Sequence, residues 1–208
     1  MTVVQRITGD CRITGNLQVD GSLPTYERTN LQQDTNQPFV IPLINARVHD
    51  APQTNLPGTA ADDDLGLAGA AFGTNSLYLT TGDVKAAGCT RYARFQIPIP
   101  MEYDAGETLT LRCHAGMQTT VADTSATLDV EAYKSDEEGG IGSDICATAA
   151  QSINSLTDAD YDFAITPTGL SPGDMLDVRL TVTVADSATG TAVIANVGAL
   201  QLLADVKG

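Results

Sequence analysis

The stretch RITGDCRITGNLQVDGSL, residues 6 to 23, keeps two periods at once, and few backbones satisfy both. Ile7-Thr8-Gly9, Ile13-Thr14-Gly15 and Val19-Asp20-Gly21 open three consecutive hexads, with Cys11, Leu17 and Leu23 each five residues into its own. Odd positions are apolar or glycine, and even positions are Thr, Asp, Arg, Asn, Gln and Ser. A strict two-residue alternation means extended chain with one buried face. A six-residue period with glycine at its corners means that the chain turns regularly, as in hexapeptide β-helices and β-prisms. Six side chains (Ile7, Cys11, Ile13, Leu17, Val19 and Leu23) are too few to order 24 residues alone. Three rungs are also the minimum for a solenoid, and no cap is evident. The segment therefore needs a partner. Three copies around a three-fold axis would bury the odd face and satisfy the strand edges together, which predicts a homotrimer with these six residues as its docking face. The competing readings are that the segment pairs with the rest of its own chain as an edge ribbon, or becomes ordered only on docking to a larger surface.

Residues 25–37 are polar, lack either period, and read as an arm or linker. From residue 38 to 208 the text becomes short alternating runs divided by turn residues. Ala93, Phe95, Ile97 and Ile99 form one apolar face; Leu109, Leu111 and Cys113 form another. Leu128, Val130 and Ala132 follow, then Tyr161, Phe163 and Ile165, then Leu176 through Val184 at every second position. In the last run the alternation through Val193, Ala195 and Val197 slips by one to Leu200 and Leu202, which predicts a bulge near Gly198. With 38–48 and 76–80 the count is about eight half-buried strands. Residues 139–156 fit a helical spacing as well as a strand face, and a strand or irregular crossover is the preferred reading.

One internal echo stands out. Phe95-Gln-Ile97 followed by Gly106-Glu107-Thr-Leu109-Thr-Leu111-Arg112 is matched by Phe163-Ala-Ile165 followed by Gly173-Asp174-Met-Leu176-Asp-Val178-Arg179. Two equivalent strand–turn–strand units in such a chain suit an all-β antiparallel β-sandwich of jelly-roll type, carrying the short N-terminal hexad-repeat β-segment at residues 1–24.

Composition narrows the function. Lys+Arg 11 against Asp+Glu 26 gives a formal net charge of −15, which disfavours nucleic acid and anionic membrane as partners. No run approaches a membrane span, and MTVVQRIT does not read as a signal peptide, so synthesis in a cytoplasm is expected. Cys11, Cys89, Cys113 and Cys146 are too far apart for a zinc knuckle and read as reduced, buried thiols. His49 and His114 read as exposed surface residues. Asp62-Asp63-Asp64 lacks the spacing of a calcium loop and reads as solvated. The loop Gly139 to Ser143 follows three acidic residues that would repel phosphate. No nucleophile elbow, zincin or Walker motif occurs, so no enzyme, metal site or cofactor is expected. There is no Trp, and the tyrosines at 26, 78, 92, 103, 133 and 161 are the main stacking groups.

The repeats ITGDCRITGNLQVDGSL resemble the glycine-punctuated β-segments of phage fibre and decoration proteins. ARFQIPIPMEYDAGETLTLR and GLSPGDMLDVRLTVTV resemble the jelly-roll strands of tailed-bacteriophage capsid decoration (cement) proteins. The resemblance is one of style over most of the chain. It implies a homotrimer on the outer capsid surface of a virion, bound to the major capsid protein at local three-fold positions and stabilising the shell by bridging capsomers. The alternative is a receptor- or carbohydrate-binding virion protein such as a tail spike or fibre domain, which would want an exposed aromatic cluster.

Overall fold

The computed structural model describes residues 35–206. The hexad segment, with Ile7, Cys11, Ile13, Leu17, Val19 and Leu23, lies outside the described residues. The described chain forms β1 (Thr35–Val40), β2 (Gly66–Ala68), β3 (Tyr78–Thr80), β4 (Gly88–Pro98), β5 (Leu109–Met117) and β6 (Ser125–Ser135). Then come β7 (Ile141–Asp144), β8 (Gln151–Ser152), β9 (Ala159–Ile165), β10 (Met175–Ala185) and β11 (Ala195–Val206). Among the described residues there is no α-helix; a single 3₁₀ turn, Leu43–Asn45, begins after Pro42, whose ring fixes the φ that the turn needs.

Two antiparallel sheets result. Sheet A has the order β2-β3-β11-β5-β9, with β1 also pairing β11. Sheet B has the order β4-β10-β6-β7, with β8 also pairing β6. The alternation in sequence becomes the division between core and surface. In β6 alone, Ala126, Leu128, Val130 and Ala132 are buried, while Thr127, Asp129, Glu131 and Tyr133 face outward. Phe95, Ile97, Leu111, Phe163, Leu180 and Leu202 belong to one core between the sheets. The expected bulge is present: the β11–β5 register shifts between Val197 and Ala199, across Gly198. Residues 139–156 form the short β7 and β8 with irregular chain between them. The strand expected over 38–48 runs instead over Thr35–Val40, taking the last three residues of the expected arm, and it stops before Pro42 and the 3₁₀ turn.

The echoed units are arches between sheets. β4 lies in sheet B and β5 in sheet A; β9 lies in sheet A and β10 in sheet B. Each copy pairs with the other: β4 with β10 and β5 with β9. At the turn of each arch Gly106 (φ 96°) and Gly173 (φ 87°) hold a left-handed conformation that a side chain resists. The result is an all-β antiparallel sandwich of jelly-roll-like architecture.

Candidate functional site

The outer face of sheet B is a polar platform whose rows follow from the strand register. Gln96, Asp177 and Tyr133 lie side by side across β4, β10 and β6. The next rows are Arg94, Arg179 and Glu131, then Tyr92, Thr181 and Asp129, then Thr90, Thr183 and Thr127. Two hollows open on this face and share Arg94. One, of about 260 Å³, is lined by His49, Arg94, Glu131, Tyr133, Ile141, Asp177 and Arg179. The other, of about 610 Å³, lies between β4 and the 45–53 segment, where Arg47 and Gln53 meet Gln96.

The guanidiniums on this floor are already neutralised. Arg94 donates through Nε to Asp177 Oδ1 at 2.7 Å, and a second bond from the same guanidinium makes the pair bidentate. Arg179 pairs with Glu131 and lies 5.1 Å from the centre of the Tyr92 ring. Asp177 holds the Arg94 guanidinium above its ordinary pKa by hydrogen bonding, and burial pushes the Tyr133 phenol up. Two guanidiniums stand against three carboxylates: Asp129, Glu131 and Asp177. The floor therefore offers fixed donors, acceptors and ring faces without net positive charge, which suits a neutral polyhydroxylated ligand better than an anion.

The free edge of β4 is covered by two loops that are distant in sequence. Arg47 exchanges backbone hydrogen bonds with Arg94 at 2.9 and 3.0 Å. Tyr92 donates to the Asp63 carbonyl at 2.8 Å and accepts from the Leu65 N–H at 2.9 Å. These contacts block an otherwise sticky strand edge. They also bring His49, Asp63 and Asp64 together beside Tyr92, with the His49 ring 4.4 Å from the Tyr92 ring.

A second surface has the opposite character. Val40, Ile44 and Leu77 are exposed and line one concavity of about 280 Å³ with Gly198 and Leu200, on the flank of sheet A. Phe72 stands fully exposed beside Leu77.

No protein-family model matches this chain, and no curated protein matches it. Solved structures give distant likenesses. A xylan-binding module, CBM15, aligns over 82% of this chain and 97% of its own, at 13% identity and a TM-score of 0.43. The CBM22-1 xylan-binding domain of Paenibacillus barcinonensis Xyn10C aligns over 70% of this chain and 81% of its own, at 15% identity and a TM-score of 0.37. Infectious bursal disease virus, Gt strain, aligns over 83% of this chain and 32% of its own, at 14% identity and a TM-score of 0.32. No residue role is carried over from any of them.

The structure corrects two expectations for single residues. His49 is half-buried between Asp63 and Asp64 and packed at a 41° tilt against the Tyr92 ring, because the Arg47 bridge to β4 turns it inward. Asp63 and Asp64 accordingly belong to a cluster with it, while Asp62 is exposed. His114 lies on the outer face of sheet A as expected, with Nδ1 2.8 Å from Asp160 Oδ1. The loop after Ser135 is closed by its own acid: Asp136 Oδ1 accepts from the N–H groups of Glu138 and Gly140. Cys89, Cys113 and Cys146 are free thiols, and burial pushes each of their pKa values up. Of the tyrosines, Tyr103 is wholly buried, with its hydroxyl donating to the Glu107 carbonyl, and Tyr92 and Tyr133 reach the platform. Sequence reasoning missed Arg94, Asp177, Arg179 and Glu131. The signal was present as charged residues at alternate positions of three strands, but the pairing that makes them one surface is not local.

Proposed function

We propose that this chain is a non-catalytic structural protein of a virion, a capsid decoration trimer that sits on the outer shell and bridges neighbouring capsomers. The observation that carries this reading is the apolar strip of Val40, Ile44 and Leu77. It includes Val40, the last residue of β1, with Ile44 from the 3₁₀ turn and Leu77 before β3. An exposed apolar strip marks an interaction surface, and a second copy of this chain is its proposed occupant. The partners are then the chain itself and the major capsid protein, with the acidic surface keeping decorated particles apart. Added buried interface raises the cost of separating capsomers. Light scattering on the intact chain is expected to give three copies, and a stable monomer would overturn the trimer. Removing residues 1–24 is expected to abolish both trimer and capsid binding. Binding to empty capsids should saturate at a three-fold-related ratio.

A second reading, that of a carbohydrate-binding virion protein, is favoured by the platform of sheet B, where neutralised Arg–carboxylate pairs surround the rings of Tyr92 and Tyr133. Specific retention on a glycan array, lost in Tyr133→Ala, would support it. Capsid binding without any glycan binding would leave the platform outside the function.

A further inference from the structure

We propose that His49, Asp63 and Asp64 form a binding site for a single divalent cation of the zinc type. One ligand atom from each residue lies within 4.8 Å of the others. His49 Nε2 is 3.6 Å from Asp63 Oδ2, and His49 Nδ1 is 3.7 Å from Asp64 Oδ1. The second pair carries the argument. Both atoms are buried and neither has a hydrogen-bond partner. Their separation is too long for a hydrogen bond, and orphaned polar atoms in such a place are costly. Two ligands of one ion need no direct contact. With bonds near 2.0 to 2.1 Å, tetrahedral ligands stand about 3.4 Å apart, so the pair has only a few tenths of an ångström to close.

The Asp123–Asp186 pair at the end of the sandwich shows what a carboxylate cluster looks like when the chain satisfies it. Asp186 accepts from the N–H groups of Ala86 and Asp123 and from the Thr189 hydroxyl. Asp123 accepts from the N–H groups of Ser187 and Ala188 and from two hydroxyls. Around Asp64 Oδ1 no such donor appears.

The backbone holds the donors in place before any ion arrives. The Arg47–Arg94 and Asp63–Tyr92–Leu65 hydrogen bonds anchor both loops to β4, and the Tyr92 ring packs against the imidazole at a 41° tilt. One imidazole with two carboxylates favours zinc or a similar transition ion over calcium, which wants six to eight oxygens. Three protein ligands leave a coordination position for water. A cation here would tie the 46–57 segment to the 61–65 loop at the rim of the sheet B platform, whatever that platform binds.

The test is isothermal titration of the tag-free, full-length chain with zinc chloride after chelator treatment, with thermal unfolding in parallel. One ion per chain and a raised unfolding temperature are expected. His49→Ala and Asp64→Asn should each weaken binding at least tenfold, whereas Asp62→Asn and His114→Ala should leave it unchanged. A cobalt spectrum without a thiolate charge-transfer band would separate this site from the cysteines. Absence of saturable binding, equal affinity in His49→Ala, or loss in His114→Ala instead would overturn the proposal. Circular dichroism of the metal-free variants checks folding. Should His49→Ala fail to fold, Asp63→Asn decides, because its side chain is half exposed; unchanged affinity in that variant overturns the site.

Discussion

Two stretches of this chain carry nearly the same text, and the sandwich uses them for different ends. Phe95 to Arg112 starts in sheet B and finishes in sheet A; Phe163 to Arg179 makes the reverse journey. Phe95 stands opposite Val178 and Ile97 opposite Leu176. Phe163 stands opposite Leu111 and Ile165 opposite Leu109. Exchanging the copies leaves the inward register unchanged, so the core here has a local two-fold character. The outward positions break it. Arg112 faces Asp162 across the strands and bonds it twice at 2.7 Å. Arg179, the equivalent residue, faces Arg94, and that repulsion is relieved only by Glu131 and Asp177. The same local sequence thus makes a plain surface pair in one sheet and a dense charged platform in the other. Local text sets the inward face, and the neighbouring strand decides what the outward face can do.

The largest test removes the equivalent core rings. Phe95→Ala and Phe163→Ala should each cost about 3–5 kcal/mol, as deletions of fully buried aromatics do. Denaturant unfolding should place the two losses within about 1 kcal/mol of one another if the copies are equivalent in the core. A gap of more than about 2 kcal/mol would confine the equivalence to backbone register.

Asp177→Ala comes next. It leaves Arg94 beside Arg179 with one carboxylate between them. Asp177 is nearly buried, but Arg94 is about a third open to water, so the loss is set below that of a fully buried pair, at about 2 kcal/mol. Raising the salt concentration should recover part of it by screening the two guanidiniums. A loss no larger than that of Arg112→Ala would mean that the outward faces do not differ as described.

Much of this architecture is legible in the sequence. Alternation places the six long strands because each has one wet face and one dry face, and the slip from Val197 to Leu200 marks the bulge at Gly198. The arches were legible as repeats but not as arches. Nothing in Phe95 to Arg112 says that its second strand leaves the sheet of its first, since that choice depends on distant partners: Phe95 pairs with Val178 and Leu111 with Phe163. The cluster at the rim of β4 was hidden for the same reason. His49 and Asp63 lie fourteen positions apart, in loops without periodicity, and they meet only because Arg47 and Leu65 both dock on one strand edge. Short strands such as β2 and β8 carry too few residues to show any alternation.

The smallest effect concerns Arg112 and its acid. Both side chains are substantially exposed, so Arg112→Ala should cost less than about 1 kcal/mol at neutral pH. Its clearer signature is in titration. Hydrogen bonds from the Arg112 guanidinium hold the Asp162 carboxyl below its ordinary value, with burial opposing them. A carboxyl depressed in the folded state stabilises the fold above its unfolded pKa, near 3.9. That contribution fades as pH falls through the lower, folded value. The stability difference between the parent chain and Arg112→Ala should therefore be constant at neutral pH and shrink below about pH 4. Carboxyl NMR should show the Asp162 midpoint rising in Arg112→Ala. An unmoved midpoint would mean that the Arg112–Asp162 pair is no more than a screened surface contact, and the contrast between the two outward faces would then rest on sheet B alone.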